Sequence, residues 1–182
     1  MKKEKKIDKR RKYFVNEKIM NLNNPDFIYI LGFWFADGSI QYRKRGYPRI
    51  YFTQSKPEIL EKIRNILSPT RPINCYYYYK DNRNICYLSF PSKKFAEILT
   101  KISQFDLKQK TYLIRYPNIP NNQHNHFIRG FLDGDGSIIL KDRNNPTLQF
   151  VGMPLFINEL INIIYKETNE KNDYIVNMKK YG

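Results

Sequence analysis

Residues 30–40 read ILGFWFADGSI, and residues 128–138 read IRGFLDGDGSI. Aligned without a gap, the two stretches share Ile, Gly, Phe, Asp, Gly, Ser and Ile, seven of eleven positions, ninety-eight residues apart. A period that long lies well above the 20 to 50 residues of stacked repeats, so it predicts two related half-domains rather than a solenoid.

Each copy reads as a helix ended by Asp-Gly. In the first, Asn24 or Asp26 with Pro25 starts a helix that runs through Phe27, Ile28, Leu31 and Phe35 and stops at Gly38. Gly32 and Ala36, four apart, leave a strip nearly free of side chain, and Gly130 and Gly134 repeat it. Two such helices packed side by side approach at or below the short end of the usual 8 to 10 Å spacing. If they point the same way, Asp37 lies beside Asp135. Two carboxylates about 5 Å apart repel by roughly 3 kcal/mol at an effective dielectric near 20, and the negative ends of both helix dipoles add to this. Something positive belongs there. A divalent ion with oxygen ligands is the economical answer, magnesium commonly taking one or two carboxylates together with phosphate and water. Paired acids around a metal point to hydrolysis of a phosphodiester.

The surrounding pattern is regular. SIQYRK and RIYFTQ alternate apolar and polar residues about a turn at Gly46 and Pro48, PEILEKIRNIL returns to helical period, INCYYYYK and NICYLSF form a second hairpin around Asp81-Asn82-Arg83, and SKKFAEILTKI is a further amphipathic helix. From Phe127 the order repeats: helix, SIILKD and TLQFVG around Asn144-Asn145-Pro146, helix PLFINELINIIYKE, strand YIVNMKK. The second unit stops there, short of a last strand and a closing helix. The expected class is α+β, two pseudo-symmetric αββαββα halves with antiparallel sheets, the second incomplete. The expected divisions are a basic arm at 1–20, a first half at 21–116, a linker at 117–126 and a second half at 127–182.

The 182 residues carry a formal net charge of +15, and 41% are hydrophobic. That is enough apolar material for a core, and the charge points to a polyanion. A composition rich in Lys, Asn, Ile and Tyr, all with A/T-rich codons, accounts for part of the charge without any partner. The first 20 residues hold nine Lys or Arg against three acids, suiting either a phosphate-tracking extension or a solvated tail. Two cysteines, Cys75 and Cys86, make no disulfide framework and no CxxC pair; they read as core residues on facing strands of a protein in a reducing compartment. The longest apolar run, Phe27 to Ala36, is too short to span a bilayer, and MKKEKKIDKRRKY lacks the apolar stretch of a signal peptide. A soluble intracellular protein is expected, cytoplasmic or organellar, with no membrane partner. His124 and His126 have no CxxC or acid cluster beside them, so NNQHNH reads as a polar linker rather than a metal site.

ILGFWFADG (Ile30–Gly38) and IRGFLDGDG (Ile128–Gly136) resemble the two LAGLIDADG motifs of homing endonucleases. The order of elements and the segment TQSKPEIL resemble that family too, over nearly the whole chain from about Tyr13. The resemblance implies a single-chain pseudo-dimer whose two sheets form a saddle along the DNA major groove and which cuts each strand by metal-dependent hydrolysis. It places the motif's final acids at Asp37 and Asp135 as metal ligands, with Gly38 and Gly136 also assigned to the metal site. Gln54 matches the family's glutamine, whereas the second copy has Gly152 there. The family's lysine falls most nearly on Lys108, with Lys110 as runner-up. Phe35 stands where the second motif has Asp133. Base contacts are expected from Gln41, Arg43, Arg49, Tyr51, Tyr77 or Tyr79, Lys141 and Arg143. The implied cofactor is Mg2+, or Mn2+ in its place. The implied partner is double-stranded DNA, bound by a monomer with self-association open to it through the short second half. An intron maturase, a DNA-binding regulator or an inactive remnant on this scaffold is the alternative.

Overall fold

The computed structural model describes residues 13–140 and 146–168. In chain order these form α1 (Pro25–Asp37), β1 (Gly38–Gln41), β2 (Arg49–Gln54), α2 (Glu58–Leu67), β3 (Asn74–Tyr78), β4 (Arg83–Pro91) and α3 (Lys93–Ile102). A short α4 (Lys110–Leu113) follows, then α5 (His124–Asp135), β5 (Gly136–Leu140), β6 (Pro146–Phe150) and α6 (Pro154–Thr168). The expected succession of helices and hairpins is therefore present, as an α+β fold with antiparallel sheets. Strand YIVNMKK lies outside the described residues.

α1 is built to be central. The Asn24 side chain accepts from the Phe27 amide at 2.9 Å, Pro25 occupies the first turn, and every residue from Phe27 to Phe35 is buried. A helix apolar all round belongs inside. Its neighbour is α5, and the two share the largest interface between helices of the molecule. At the crossing, a Cβ on Gly32 would lie 2.0 Å from the Phe127 carbonyl oxygen, and a Cβ on Gly130 would lie 2.0 Å from the Tyr29 carbonyl oxygen. These contacts are twofold counterparts, since Tyr29 and Gly32 correspond to Phe127 and Gly130. Lower down, a Cβ on Gly134 would be 2.4 Å from that of Ala36. The small-residue strip is thus the surface on which the halves meet.

The first sheet has the order β1-β2-β4-β3. Its inner face carries Ile50, Phe52, Cys86, Leu88 and Phe90, all buried, with Phe33 of α1 stacked on Phe52 at 6.3 Å. α2 supplies Leu60, Ile63 and Leu67, and α3 supplies Phe95, Ala96, Leu99 and Ile102. The second sheet pairs β5 with β6, and Phe131 meets Phe150 at 6.3 Å, the same contact ninety-eight residues on.

Three features differ from the sequence reading. Residues 13–20, assigned to a basic arm, instead dock on the first half: the Asn16 amide donates to the Leu67 carbonyl at 2.7 Å, the Phe14 amide to Thr70, and Met20 is buried. Apolar Val15, Ile19 and Met20 interrupt the charge and find a core to join. α5 starts at His124, inside the expected linker, because His124 is buried against Tyr116, whose hydroxyl lies 2.9 Å from Nδ1; desolvation lowers the pKa of this imidazole. Cys75 and Cys86 do face each other across β3 and β4, but as a disulfide, with Cys86 buried and Cys75 exposed. As expected, α1 stops at Gly38, whose φ of −96° is extended. Glycine is needed there for space, as a Cβ would lie 2.2 Å from the Trp34 ring.

Gly32→Ala and Gly130→Ala each push a methyl group into a backbone carbonyl that cannot move without separating α1 from α5. Each is expected to destabilise the protein by about 3 kcal/mol, read as a lowered denaturant midpoint, whereas Gly46→Asn, with nothing within 4 Å of its Cβ, is expected to cost only the backbone strain of its φ of +89°, about 1 kcal/mol.

Candidate active site

The close crossing brings the C-terminal ends of α1 and α5 together, and Asp37 and Asp135 with them. A Cβ on Gly134 would lie 3.1 Å from Asp37 Oδ2, so the first carboxylate projects over the second helix. Burial raises the pKa of Asp37 to about 6, the charge of Asp135 adding to the shift while Lys110 and the Gln54 hydrogen bond oppose it. Burial also raises Asp135, against the pull of Lys110.

Gln54, the last residue of β2, donates from Nε2 to Asp37 Oδ2 at 2.5 Å. β2 delivers it there because Gly38 pairs with Phe52, which sets the end of β2 beside the start of β1. The second half has no such glutamine. Gly152 lies beyond β6, with room for a Cβ only 3.1 Å from Ile157, and the main chain touches this site through the Val151 amide, which donates to the Asp135 carbonyl at 2.9 Å.

Of the two lysines, Lys110 reaches the site and Lys108 does not. Lys108 is exposed, its ammonium 5.8 Å from the Tyr42 ring. Asp106 caps the 3-10 turn at Leu107–Gln109, accepting from the Lys108 amide, and this turn aims residue 110 inward. Lys110 Nζ donates to the carbonyls of Trp34 at 2.8 Å, Ala36 at 3.0 Å and Gly38 at 2.8 Å. It lies 4.9 Å from the Trp34 ring centroid. Burial pulls its pKa down to about 7, against the two aspartates that favour the charge. Sequence order could not separate these lysines, because the choice depends on which side chain beside the capped turn faces the end of α1.

The motif position two before each aspartate is asymmetric. Asp133 accepts a hydrogen bond from the Tyr29 hydroxyl at 2.6 Å. The counterpart pair, Phe127 and Phe35, is an edge-on ring contact at 5.2 Å, with Phe105 and Phe156 packed on the same Phe35 ring.

Outside the core, the open face of the first sheet displays Gln41, Arg49 and Tyr51. Tyr51 donates to Gln41 Oε1 at 3.1 Å, and Arg49 donates to Ser89 at 3.1 Å. Arg43 is exposed in the β1–β2 loop. The tyrosine expectation is corrected by register. Cys75 pairs with Cys86, an inward residue, so Tyr77 shares that parity and Tyr76 and Tyr78 point outward. Tyr79 follows the strand, and Tyr77 bonds to Asn82 at the hairpin tip. Tyr87, opposite Asn74 on β4, was not anticipated. Its ring lies 6.4 Å from Tyr51 and 6.3 Å from Tyr76, making a row of three tyrosines across the sheet. Lys141 and Arg143 lie outside the described residues.

A profile described as a LAGLIDADG-like domain matches residues 24–107. The chain carries a LAGLIDADG-like domain over these residues. Among solved structures, the chain is similar to the homing endonuclease I-WcaI bound to its DNA recognition sequence, with a TM-score of 0.57 and 15% identity over 93% of this chain and 76% of that one. A search of curated protein sequences finds no match. Among the described residues no helix is long and apolar enough to cross a membrane, and no group of three or more His, Cys, Asp and Glu side chains gathers as a metal centre.

A raised carboxyl pKa is a stability cost at neutral pH. Asp37 goes from 3.8 in the unfolded chain to about 6 when folded, so the penalty is absent below pH 4, grows between pH 4 and 6, and is complete above that. Discounted for the partial exposure of the carboxyl, it is about 1 to 2 kcal/mol. Asp37→Asn is expected to raise the melting temperature of metal-free protein at pH 7.5 and to leave it unchanged at pH 4; calorimetry at both values checks this.

Proposed function

We propose that the chain is a site-specific DNA endonuclease that hydrolyses phosphodiester bonds in both strands of a duplex at the junction of α1 and α5. The observation that carries this reading is the adjacency of Asp37 and Asp135 at two parallel helix ends, where each raises or shares an electrostatic cost that only a cation offsets. The structural likeness to a DNA-bound homing endonuclease and a net charge of +15 support duplex DNA as the partner.

The donor set fits a hard divalent cation such as Mg2+ or Mn2+. Two carboxylates and the Gly38 and Gly136 carbonyls are all oxygen donors, and this geometry leaves positions for water and phosphate. A bound cation would supply charge stabilisation to the leaving oxygen and acidify a water. The chain supplies the rest. Gln54 fixes the rotamer of Asp37, the Gly32–Gly130 crossing fixes the separation of the carboxylates, and the open sheet face with Arg49, Tyr51, Tyr76 and Tyr87 seats the duplex by its major groove, which is wide enough for strands. In this reading residues 21–116 and 127–182 are the two halves of one monomer, joined by 117–126. Homing of an intron or other mobile element is the biological setting the family suggests.

A second reading, a binder that never cuts, is favoured by one observation: the site is asymmetric, with Gly152 where a second glutamine would stand. Supercoiled plasmid carrying the DNA that flanks the gene's own locus separates the two. Linear product that requires Mg2+ or Mn2+ and is lost in Asp37→Asn and Asp135→Asn, with DNA affinity kept within a few fold, is the expected result. Binding without nicks under every metal condition would favour the second reading. Tyr87→Ala is expected to weaken specific binding by about tenfold while Tyr77→Ala does not, as measured by fluorescence anisotropy; equal losses would reject the open face as the DNA surface.

A further inference from the structure

The register of the first sheet fixes what its open face is made of. Ile50, Phe52, Cys86 and Leu88 point inward, so their neighbours of opposite parity point out. In the middle of the sheet these are Thr53 beside Tyr87, Ile85 beside Tyr76, and Tyr51 next along β2. Thr53 and Tyr76 are exposed, whereas Tyr51, Ile85 and Tyr87 are half-buried. The rings of Tyr51 and Tyr76 flank that of Tyr87 at 6.4 and 6.3 Å. None of these residues carries a charge, and what they turn outward is mostly methyl and ring carbon.

The side chains around this patch that could pair with two atoms of one base edge already have partners. A glutamine reads adenine with its amide oxygen and nitrogen together, but Gln41 Oε1 accepts from the Tyr51 hydroxyl at 3.1 Å. An arginine reads guanine with two nitrogens, but one nitrogen of Arg49 donates to Ser89 at 3.1 Å and its Nε is buried. Arg83, at the hairpin end of β4, pairs with Asp81 at 3.1 Å. Hydrogen-bonded readout is therefore least available where apolar surface is broadest. One base offers an apolar group in the major groove, and that is thymine, through its C5-methyl.

We propose that the open face of the first sheet recognises thymine: Thr53, Ile85 and the rings of Tyr51, Tyr76 and Tyr87 cover thymine methyl groups in the major groove, so that the stretch of target under this sheet is rich in A·T pairs. The inference rests on the reading that duplex DNA is the partner, and it adds which bases are read and by what. A methyl group taken out of water contributes a preference of about fourfold, so two or three together match one good two-bond contact to a base. Lys, Asn, Ile and Tyr, in which the chain abounds, have A/T-rich codons, and a gene of that composition sits in DNA where such stretches are common.

Removing the methyl alone tests this. Selection from a randomised duplex library gives the bound sequence, and its thymines are then replaced by deoxyuridine, which keeps every hydrogen-bonding atom. Fluorescence anisotropy on wild type is expected to show affinity lowered by about tenfold or more. In Tyr87→Ala that penalty is expected to shrink by about threefold or more. Should Tyr87→Ala fail to fold, Thr53→Ser, which deletes one exposed methyl and keeps the hydroxyl, is expected to shrink it by about fourfold. Equal affinity of wild type for the two duplexes overturns the inference and leaves DNA as the partner. A penalty of the same size in wild type and variants also overturns it, since the methyls are then read elsewhere. A selection that enriches no sequence removes site-specific binding and this inference together, whereas metal-dependent nicking of a selected site without methyl dependence keeps the nuclease reading and rejects this one.

Discussion

Two backbone contacts hold this molecule in its working shape: Gly32 against the Phe127 carbonyl and Gly130 against the Tyr29 carbonyl. No other residue type fits either place, since the first atom of any side chain would sit inside the van der Waals radius of a main-chain oxygen. The crossing lets α1 and α5 run close enough for Ala36 to face Gly134, and it delivers the two aspartates to one spot. Folding therefore accepts an electrostatic penalty at one end of the helix pair because apolar packing along the rest of it outweighs that penalty.

The twofold relation is kept where packing needs it and dropped where chemistry differs. Phe33 on Phe52 and Phe131 on Phe150 repeat at 6.3 Å. By contrast, Tyr29 with Asp133 is polar while its counterpart, Phe127 with Phe35, is apolar. Environment explains the difference. Phe35 lies under α6 and Phe105 with 1% of its surface exposed, where a carboxylate would be stranded, whereas Asp133 faces solvent. Among the described residues Gln54 is single as well, so the two aspartates sit in unlike surroundings although their motifs match.

The junction between the halves is fastened away from the aspartates too. Arg115 donates through two nitrogens to Glu159 of α6, and the Tyr116 amide donates to the other oxygen of the same carboxylate at 2.8 Å. Burial alone would raise Glu159, but its hydrogen bonds to Arg115 and to the Tyr116 backbone and the charge of Arg115 bring its pKa below the usual range. Tyr116 then meets Phe127 edge-on, stacks on Phe156 and meets His124, so the segment between α4 and α5 is part of the core rather than a tether.

The sequence by itself determined the helices, the hairpins and the paired aspartates. Those features depend on periodicities of 2 and 3.6, on glycines four apart and on a phrase repeated without a gap, all local in the chain. Gln54 was also legible, because it ends a strand whose length the pattern defines. What only the tertiary structure decided was parity and reach. Which tyrosines face outward follows from the pairing of Cys75 with Cys86, and a shift of one residue reverses every side chain on a strand. The choice of Lys110 over Lys108 follows from a capped turn that aims one side chain at carbonyls seventy-odd residues away. The docking of residues 13–20 follows from a groove that exists only once α2 and α3 are in place. Each is a long-range geometric fact, and no pattern of neighbouring residues encodes it.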